Sequence, residues 1–545
     1  MDLGLDFGTT FTVVAHADRG NYPVVGFFDA DGDAHDHFPS VVADDGGTLA
    51  YGFSALEAAR RGAPVLRSFK RSLSQPSLSP HTTVAIGHRA VTVLELMTGF
   101  FTALREALHS ESTVSGFPVT QARTVLGVPA QAHSAQRFVT LEACRLAGFD
   151  VIGMVNEPSA ASFEFAHRQA RSVTSRRNLV IVYDFGGGTF DVSLVLLDGK
   201  RHEVLDSFGV NRLGGDDVDE ALALLTLSSA GGSRADLSDA EWQSLLAECR
   251  EAKEKISPQT RRVVVEAPSR ASARPELRTV DIGDLYAAVT PLVEATISAM
   301  EPLVAALPAR QGADDADADA LAGVAGIYLV GGASALPLVP RVLRARFGRR
   351  VHRAPLPGAS TAVGLAIAAD KAAGFSLTDR LSRGFGVFRE QEGGAAVSFD
   401  PLLDRSLVTV DTSAGGSQGA EVVVTRRYRA AHNIGWFRFV EYASVDQEGV
   451  PRGDLVPRGE IVFPFDAALQ HDAQPQHGSA DTGTAAESSS PRSGLRAIPV
   501  VRRGDGPLSD GPLIEERYSV GADGIIAVAI EDLTTGYRQE AVLRP

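Results

Sequence analysis

Two apolar strands in this chain each run into an aspartate followed by a turn rich in glycine and threonine. No other feature limits the possible fold as much. The first copy is Leu3-Gly4-Leu5-Asp6-Phe7-Gly8-Thr9-Thr10, and the second is Leu179-Val180-Ile181-Val182-Tyr183-Asp184-Phe185-Gly186-Gly187-Gly188-Thr189. Another strand-like run follows each, Thr12-Val13-Val14 and Asp191-Val192-Ser193-Leu194-Val195, so the pattern predicts two β-hairpins. Glycine at a hairpin tip lets backbone N–H groups close on a phosphate chain, because no Cβ blocks the approach. Threonine hydroxyls add donors, and aspartates at strand ends suit Mg²⁺ held through water. Two such loops facing each other would grip a nucleoside triphosphate from both sides.

One glycine-rich hairpin alone would carry little meaning; a matched pair behind apolar strands is much harder to obtain by chance. Protein kinases also use Asp-Phe-Gly, but here no His-Arg-Asp loop exists and the tripeptide opens the chain. The only Gly-Lys pair, Gly199-Lys200, lacks the flanking residues of a Walker A loop.

At 545 residues the chain exceeds one core and predicts two to four domains. A net charge of −15 argues against nucleic acid as a partner, because phosphate backbones need a basic face. Arginine pairs such as Arg176-Arg177, Arg261-Arg262 and Arg426-Arg427 are short and scattered, and read as solvated surface. Cys144 and Cys249 lie far apart without ligand spacing, which points to a reducing compartment. The first strand begins almost at Met1, leaving no room for a signal peptide, and no apolar run reaches membrane-spanning length. A cytoplasmic protein with no membrane partner is expected.

Residues 1–372 alternate strand and helix signals, as an α/β region does. Asn156-Glu157-Pro158-Ser159 opens an alanine-rich helix, and Thr361–Ala369 reads as a second helix of small residues. Two such helices can cross closely, either as a hinge between lobes or as a tight core contact. Beyond about residue 380 the runs alternate as strands do, at Glu421–Arg427, Trp436–Tyr442, Glu460–Phe465, Arg517–Val520 and Ile525–Ile530. Between Ala467 and Ser493 the composition shifts to Ala, Gln, Ser, Asp, Gly and Pro without periodicity, predicting a disordered insertion. The acidic run 312–319 predicts a mobile loop.

In order and over nearly the whole chain, these motifs resemble the Hsp70 (DnaK-like) chaperone family, within the actin/hexokinase/Hsp70 ATPase superfamily. Asp6 to Thr10 is similar to the family's first phosphate loop, and Val182 to Asp191 to the second, the most specific motif here. Asn156 to Ala161 resembles the first connecting motif. Leu213-Gly214-Gly215-Asp216-Asp217 resembles the segment after the second phosphate loop, and Leu329-Val330-Gly331-Gly332-Ala333-Ser334 the adenosine motif. Tyr518 to Val528 and Asn433 to Phe437 are similar to strands of the family's substrate-binding β-domain, which sugar kinases and actins lack.

The resemblance implies a two-lobed, actin-like α/β ATPase domain over 1–372, a linker at 373–380, and an all-β sandwich over 381–545 interrupted at 467–493. It implies ATP/ADP and Mg²⁺ as cofactors. Phe69-Lys70-Arg71 resembles the segment supplying the catalytic lysine, so Lys70 would meet the γ-phosphate and Glu157 would orient the attacking water. Asp6, Asp184 and Asp191 would position the metal through water. Thr9, Thr10 and Thr189, with Gly8, Gly186, Gly187 and Gly188, would hold phosphate. Gly214, Gly215, Lys253, Ser257, Gly331, Gly332 and Ala333 would line the nucleoside. Phosphoryl transfer needs little beyond such positioning and charge stabilisation. Without the motif around it, Lys70 would read as a surface lysine.

Departures from the family pattern are also present. Ala335 stands where an arginine often stacks on adenine, Arg250 where a ribose-binding glutamate is usual, and Gly358 where an acidic residue is common. A weaker grip on adenine is expected. The family's leucine-rich linker is replaced by Gly374-Phe375-Ser376-Leu377, and the sequence reaches Pro545 without a counterpart of the helical lid. The leading expectation is an ATP-dependent, lidless chaperone for extended polypeptide clients, with J-domain and nucleotide-exchange co-chaperones as candidate partners. The alternative is a nucleotide-switched scaffold or sensor for one dedicated protein; a small-molecule kinase on the same fold is disfavoured by the β-half.

Overall fold

The computed structural model describes residues 1–75, 81–129, 134–169, 172–229, 231–268, 275–307, 321–380, 383–391, 396–404, 408–411, 422–430, 433–442, 455–470, 511–521 and 525–543, with isolated residues between them. Two compact units emerge, Met1–Ser382 with Val410–Gly419, and Arg383–Thr409 with Ala420–Pro545.

The first unit is built on two mixed sheets, each organised around one of the predicted hairpins. In the first, the strands run in the order Asp150–Asn156, Arg123–Val128, Asp2–Phe7, Phe11–His16, Phe38–Pro39. In the second, the order is Val351–Arg353, Val324–Val330, Leu179–Phe185, Thr189–Asp198, Arg201–Asn211, then Ser376–Arg380. In both, the strand that carries the key aspartate near its end pairs in parallel on one side and antiparallel with its own hairpin partner on the other. Such strands are buried on both faces and so read as continuous apolar runs; Val180 to Tyr183 are fully buried.

Helix Glu157–Arg168 begins directly at the end of strand Asp150–Asn156 and crosses helix Ser360–Ala369, as the small residues of both predict. At Gly364 an added Cβ would lie 1.8 Å from the Ala160 carbonyl oxygen, so the crossing requires glycine there. The segment expected to be a linker carries strand Ser376–Arg380, in parallel register with Arg201–Glu203 at the edge of the second sheet.

The second unit is a β-sandwich. One sheet orders Ala396–Leu403, Gly384–Gln391, Ile434–Tyr442, Val456–Pro464; the other orders Val422–Arg429, Leu513–Val520, Ile526–Asp532, Arg538–Val542. Along Ile526–Asp532 burial alternates strictly, the signature of a sheet with one covered face. Rings from both sheets meet between them, with Tyr518 centred 6.2 Å from both Phe385 and Phe439. Glu516 is fully buried there and accepts hydrogen bonds from Arg389, Tyr428 and Tyr518.

Of the expected disordered insertion, Ala467–Gln470 instead form a helical turn. Gln470 is buried and donates to the Pro464 carbonyl at 3.1 Å and to Asp532 at 2.9 Å, so these residues belong to the sandwich. The remainder, 471–493, lies outside the described residues, as do the acidic run 312–319 and the hairpin tip Asp523-Gly524.

Candidate active site

The two glycine–threonine tips meet. A Cβ on Gly187 would lie 2.2 Å from the Thr10 hydroxyl oxygen, and one on Gly188 would lie 2.8 Å from the Thr9 methyl, so only glycine permits this approach. The hairpins that carry them hold Asp6 opposite Val13, and Asp184 opposite Asp191. Behind the tips Lys70 donates to Glu157 Oε1 at 2.8 Å, both side chains almost fully buried. Lys70 is therefore no surface lysine. Its short 3₁₀ turn, Phe69–Ser74, is anchored by Phe69, whose ring centroid lies 5.8 Å from Phe7 and 5.3 Å from Phe100.

The electrostatics are set by burial and by crowded carboxylates. Burial, then Glu157 and Asp184, hold the Asp6 carboxyl well above its usual range against the pull of Lys70. Burial, Glu157 and Asp191 do the same to Asp184. Asp191 is pushed up to about 7 by burial and Glu157. Burial works against the Lys70 ammonium, but Glu157 and Asp6 outweigh it and leave the group above its ordinary value. Four carboxylates thus share one ammonium, and the excess of negative charge suits a hard cation. Among the described residues no three His, Cys, Asp or Glu side chains come close enough to hold a metal ion directly. This donor set fits a hydrated ion, as Mg²⁺ prefers, rather than a bare one.

Beside the second tip, Gly214 and Gly215 begin helix Gly215–Ser228, and the Gly215 and Asp216 amides donate to the Gly186 and Gly187 carbonyls at 2.9 and 2.7 Å. Lys253 reaches the same turn, donating to the Gly215 carbonyl at 2.8 Å and pairing with Asp219 at 2.7 Å. Ala333, in the turn after Val330 that holds Gly331 and Gly332, is buried near Gly215. Ser257 follows helix Asp239–Glu254, its hydroxyl 3.3 Å from that of Thr260. Thr189, which opens strand Thr189–Asp198, pulls the Asp191 carboxyl downward against burial and Glu157.

Sequence reasoning assigned no role to the charged residues between these groups. Asp216 accepts from Ser68 at 2.8 Å and Arg250 at 2.9 Å, and lies 3.4 Å from Arg71. Arg250 also donates to Asp219 at 3.3 Å. Arg71 and Asp216 lie within recognised motifs, Phe69-Lys70-Arg71 and Leu213–Asp217, so membership was a usable signal. Arg250 lies 34 residues from Asp216, and no local pattern links them.

On the second unit, a cleft of about 430 Å³ is lined by Tyr428, Trp436, Phe437 and Phe465 together with Arg389 and Arg426.

Paired glycine–threonine hairpins on two sheets, with a buried lysine and carboxylates behind them, define a nucleotide-hydrolysing fold of the actin-like class. The family model for Hsp70 protein matches residues 2–382, and the chain belongs to that family. It is similar to the chaperone protein HscA homolog of Acidithiobacillus ferrooxidans, 27% identical over 568 residues that take in 100% of this chain and 78% of the relative. Chaperone protein HscA homologs of Burkholderia pseudomallei and Burkholderia mallei are 36% identical over 253 residues, 46% of this chain and 38% of theirs. The chain is an ATP-dependent, Hsp70-type chaperone, an ATPase that takes ATP and ADP. Among the described residues no helix is long and apolar enough to cross a membrane.

Proposed function

We propose that ATP is hydrolysed between the two hairpin tips and that the β-sandwich holds an extended polypeptide whose release the nucleotide controls. The observation that carries this reading is the meeting of Thr10 with Gly187 in front of the Lys70–Glu157 pair. Gly8, Thr9, Thr10, Gly186, Gly187, Gly188 and Thr189 would surround the phosphate chain. Lys70 would leave Glu157 to donate to the γ-phosphate, where charge gathers as the bond breaks. Glu157, so released, would accept a hydrogen bond from the attacking water and orient it in line. Asp6, Asp184 and Asp191 would hold Mg²⁺ through its waters, and the ion would neutralise phosphate charge. Gly214, Gly215, Lys253, Ser257, Gly331, Gly332 and Ala333 would line the nucleoside. With Arg250 engaged by Asp216 and Asp219, and Ala335 offering no stacking plane, the adenine would be held loosely.

The client would lie along the aromatic cleft at Tyr428, Trp436, Phe437 and Phe465, held by backbone hydrogen bonds and side-chain pockets. Domain limits at 1–372 and 381–545, a cytoplasmic location, and J-domain and nucleotide-exchange partners complete the reading. Phosphate release from ATP, measured with Mg²⁺ and with chelator, tests it. Chelation is expected to abolish turnover, and Glu157→Gln to slow it about 10²–10⁴-fold, the usual contribution of a positioned base. Turnover indifferent to both changes would remove the assignment.

A further inference from the structure

A cleft of about 750 Å³ in the first unit plays no part in the site above. It opens where strand Val324–Val330 begins, beside the turn at Thr174–Arg177 and the turn that follows helix Leu338–Phe347. Its rim is arginine: Arg176 and Arg177 from one turn, Arg349 and Arg350 from the other. Half-buried Ala325 and Phe347 supply apolar surface, and among the described residues no carboxylate lines it.

Both turns are built to hold their arginines. The Thr174 and Arg177 backbones exchange two 3.0 Å hydrogen bonds, which fixes the turn containing Arg176. Gly348, at φ 67°, swings the chain out of its helix so that Arg349 and Arg350 follow at once. Neighbouring arginines have internal partners. Arg346 pairs with Glu301 at 2.8 Å, and Arg341 lies 4.9 Å from the Tyr286 ring centroid. Arg176, Arg177 and Arg349 are exposed and have no carboxylate partner among the described residues. Three cations without a carboxylate partner among the described residues thus line one cleft of a chain whose net charge is −15.

Guanidinium forks match carboxylate and phosphate oxygens alike. The apolar wall has no use for inorganic phosphate. A long polyphosphate backbone would be repelled by the acidic remainder of the chain. We propose that this cleft docks a short acidic polypeptide segment, its carboxylates on Arg176, Arg177 and Arg349 and its aliphatic stems on Ala325 and Phe347.

Fluorescence anisotropy of labelled hexaglutamate against the full chain, with hexaglutamine as the neutral control, tests this. Hexaglutamate is expected to bind tighter than hexaglutamine and to weaken as salt rises. The double variant Arg176→Ala, Arg349→Ala should bind it about tenfold more weakly, as two partly exposed charge pairs would predict. Neither residue touches the candidate active site, so ATP turnover should be unchanged and reports an intact fold. The chain also carries Asp314, Asp315, Asp317 and Asp319, so the titration is repeated with all four changed to asparagine. Selective binding in either form supports the proposal; its absence from both overturns it. Equal affinity for hexaglutamine, an unaffected double variant, or tighter binding of inorganic phosphate or a single-stranded oligonucleotide would also overturn it.

Discussion

Asp6, Glu157, Asp184 and Asp191 lie around a single ammonium, that of Lys70, and this imbalance governs what each residue can do. Removing the ammonium removes the fixed positive charge proposed to meet the γ-phosphate. Lys70→Ala is expected to lower kcat about 10²–10³-fold, the usual loss for one electrostatic donor. ATP binding should persist, because the backbone donors of the tips remain; equal single-turnover rates for variant and parent would refute the role. The imbalance also sets a pH dependence. Asp191 keeps its proton up to about pH 7 in the fold, against 3.8 ordinarily, so its contribution to stability falls as pH rises through that window. Asp6 and Asp184 are raised too and act with the same sign. Buried His202 acts oppositely: burial lowers it from 6.5 to about 3, so its contribution grows with pH across that interval and is complete above it. Between about pH 6.5 and 7.5 only the carboxylate effect should remain. The nucleotide-free chain should then lose thermal stability as pH rises, and Asp191→Asn should make the decline shallower. A flat melting profile across this range would contradict the buried, proton-holding cluster.

Close approach governs the elements, and two glycines separate its consequences. Gly364→Ala gains about 1 kcal/mol of helix propensity, yet its Cβ would lie 1.8 Å from the Ala160 carbonyl oxygen. Overpacking against backbone typically costs about 1–3 kcal/mol, so net destabilisation is expected in chemical denaturation. At Gly153, in strand Asp150–Asn156, an added Cβ meets nothing within 4 Å, and Gly153→Ala should leave the denaturation midpoint nearly unchanged or raise it. Equal losses at both sites would refute the crossing. The same contrast explains what the sequence could disclose. The hairpins were legible because strand, aspartate and glycine are consecutive, and the helices because their small residues recur at helical spacing. Strand Ser376–Arg380 was not, because its ladder is supplied by Arg201–Glu203, far away in sequence. Arg250 was legible as a departure, but its pairing with Asp216 and Asp219 depends on two helices packing together. The aromatic cleft gathers Tyr428, Trp436 and Phe465 from separate strands and loops, which no single run of residues announces.

For the whole molecule, an ATPase unit and a β-sandwich matter only if one governs the other. The sandwich offers strand edges and an aromatic cleft, which suit extended peptides through main-chain hydrogen bonds and pockets. The sequence between the units departs from the usual linker, so coupling is expected to be modest, and changes in affinity should act mainly through dissociation. Trp436→Ala should weaken peptide binding in equilibrium titration while leaving ATP turnover intact, because the residue belongs to the second unit alone. An unaltered peptide affinity would move the client site elsewhere. The central claim, that nucleotide at the hairpin tips controls a bound polypeptide, is tested most directly by stopped-flow release of a labelled apolar peptide. Release should be faster with Mg²⁺-ATP than with Mg²⁺-ADP in the parent chain. Identical release rates in the two nucleotides, with both shown to bind, would contradict the account.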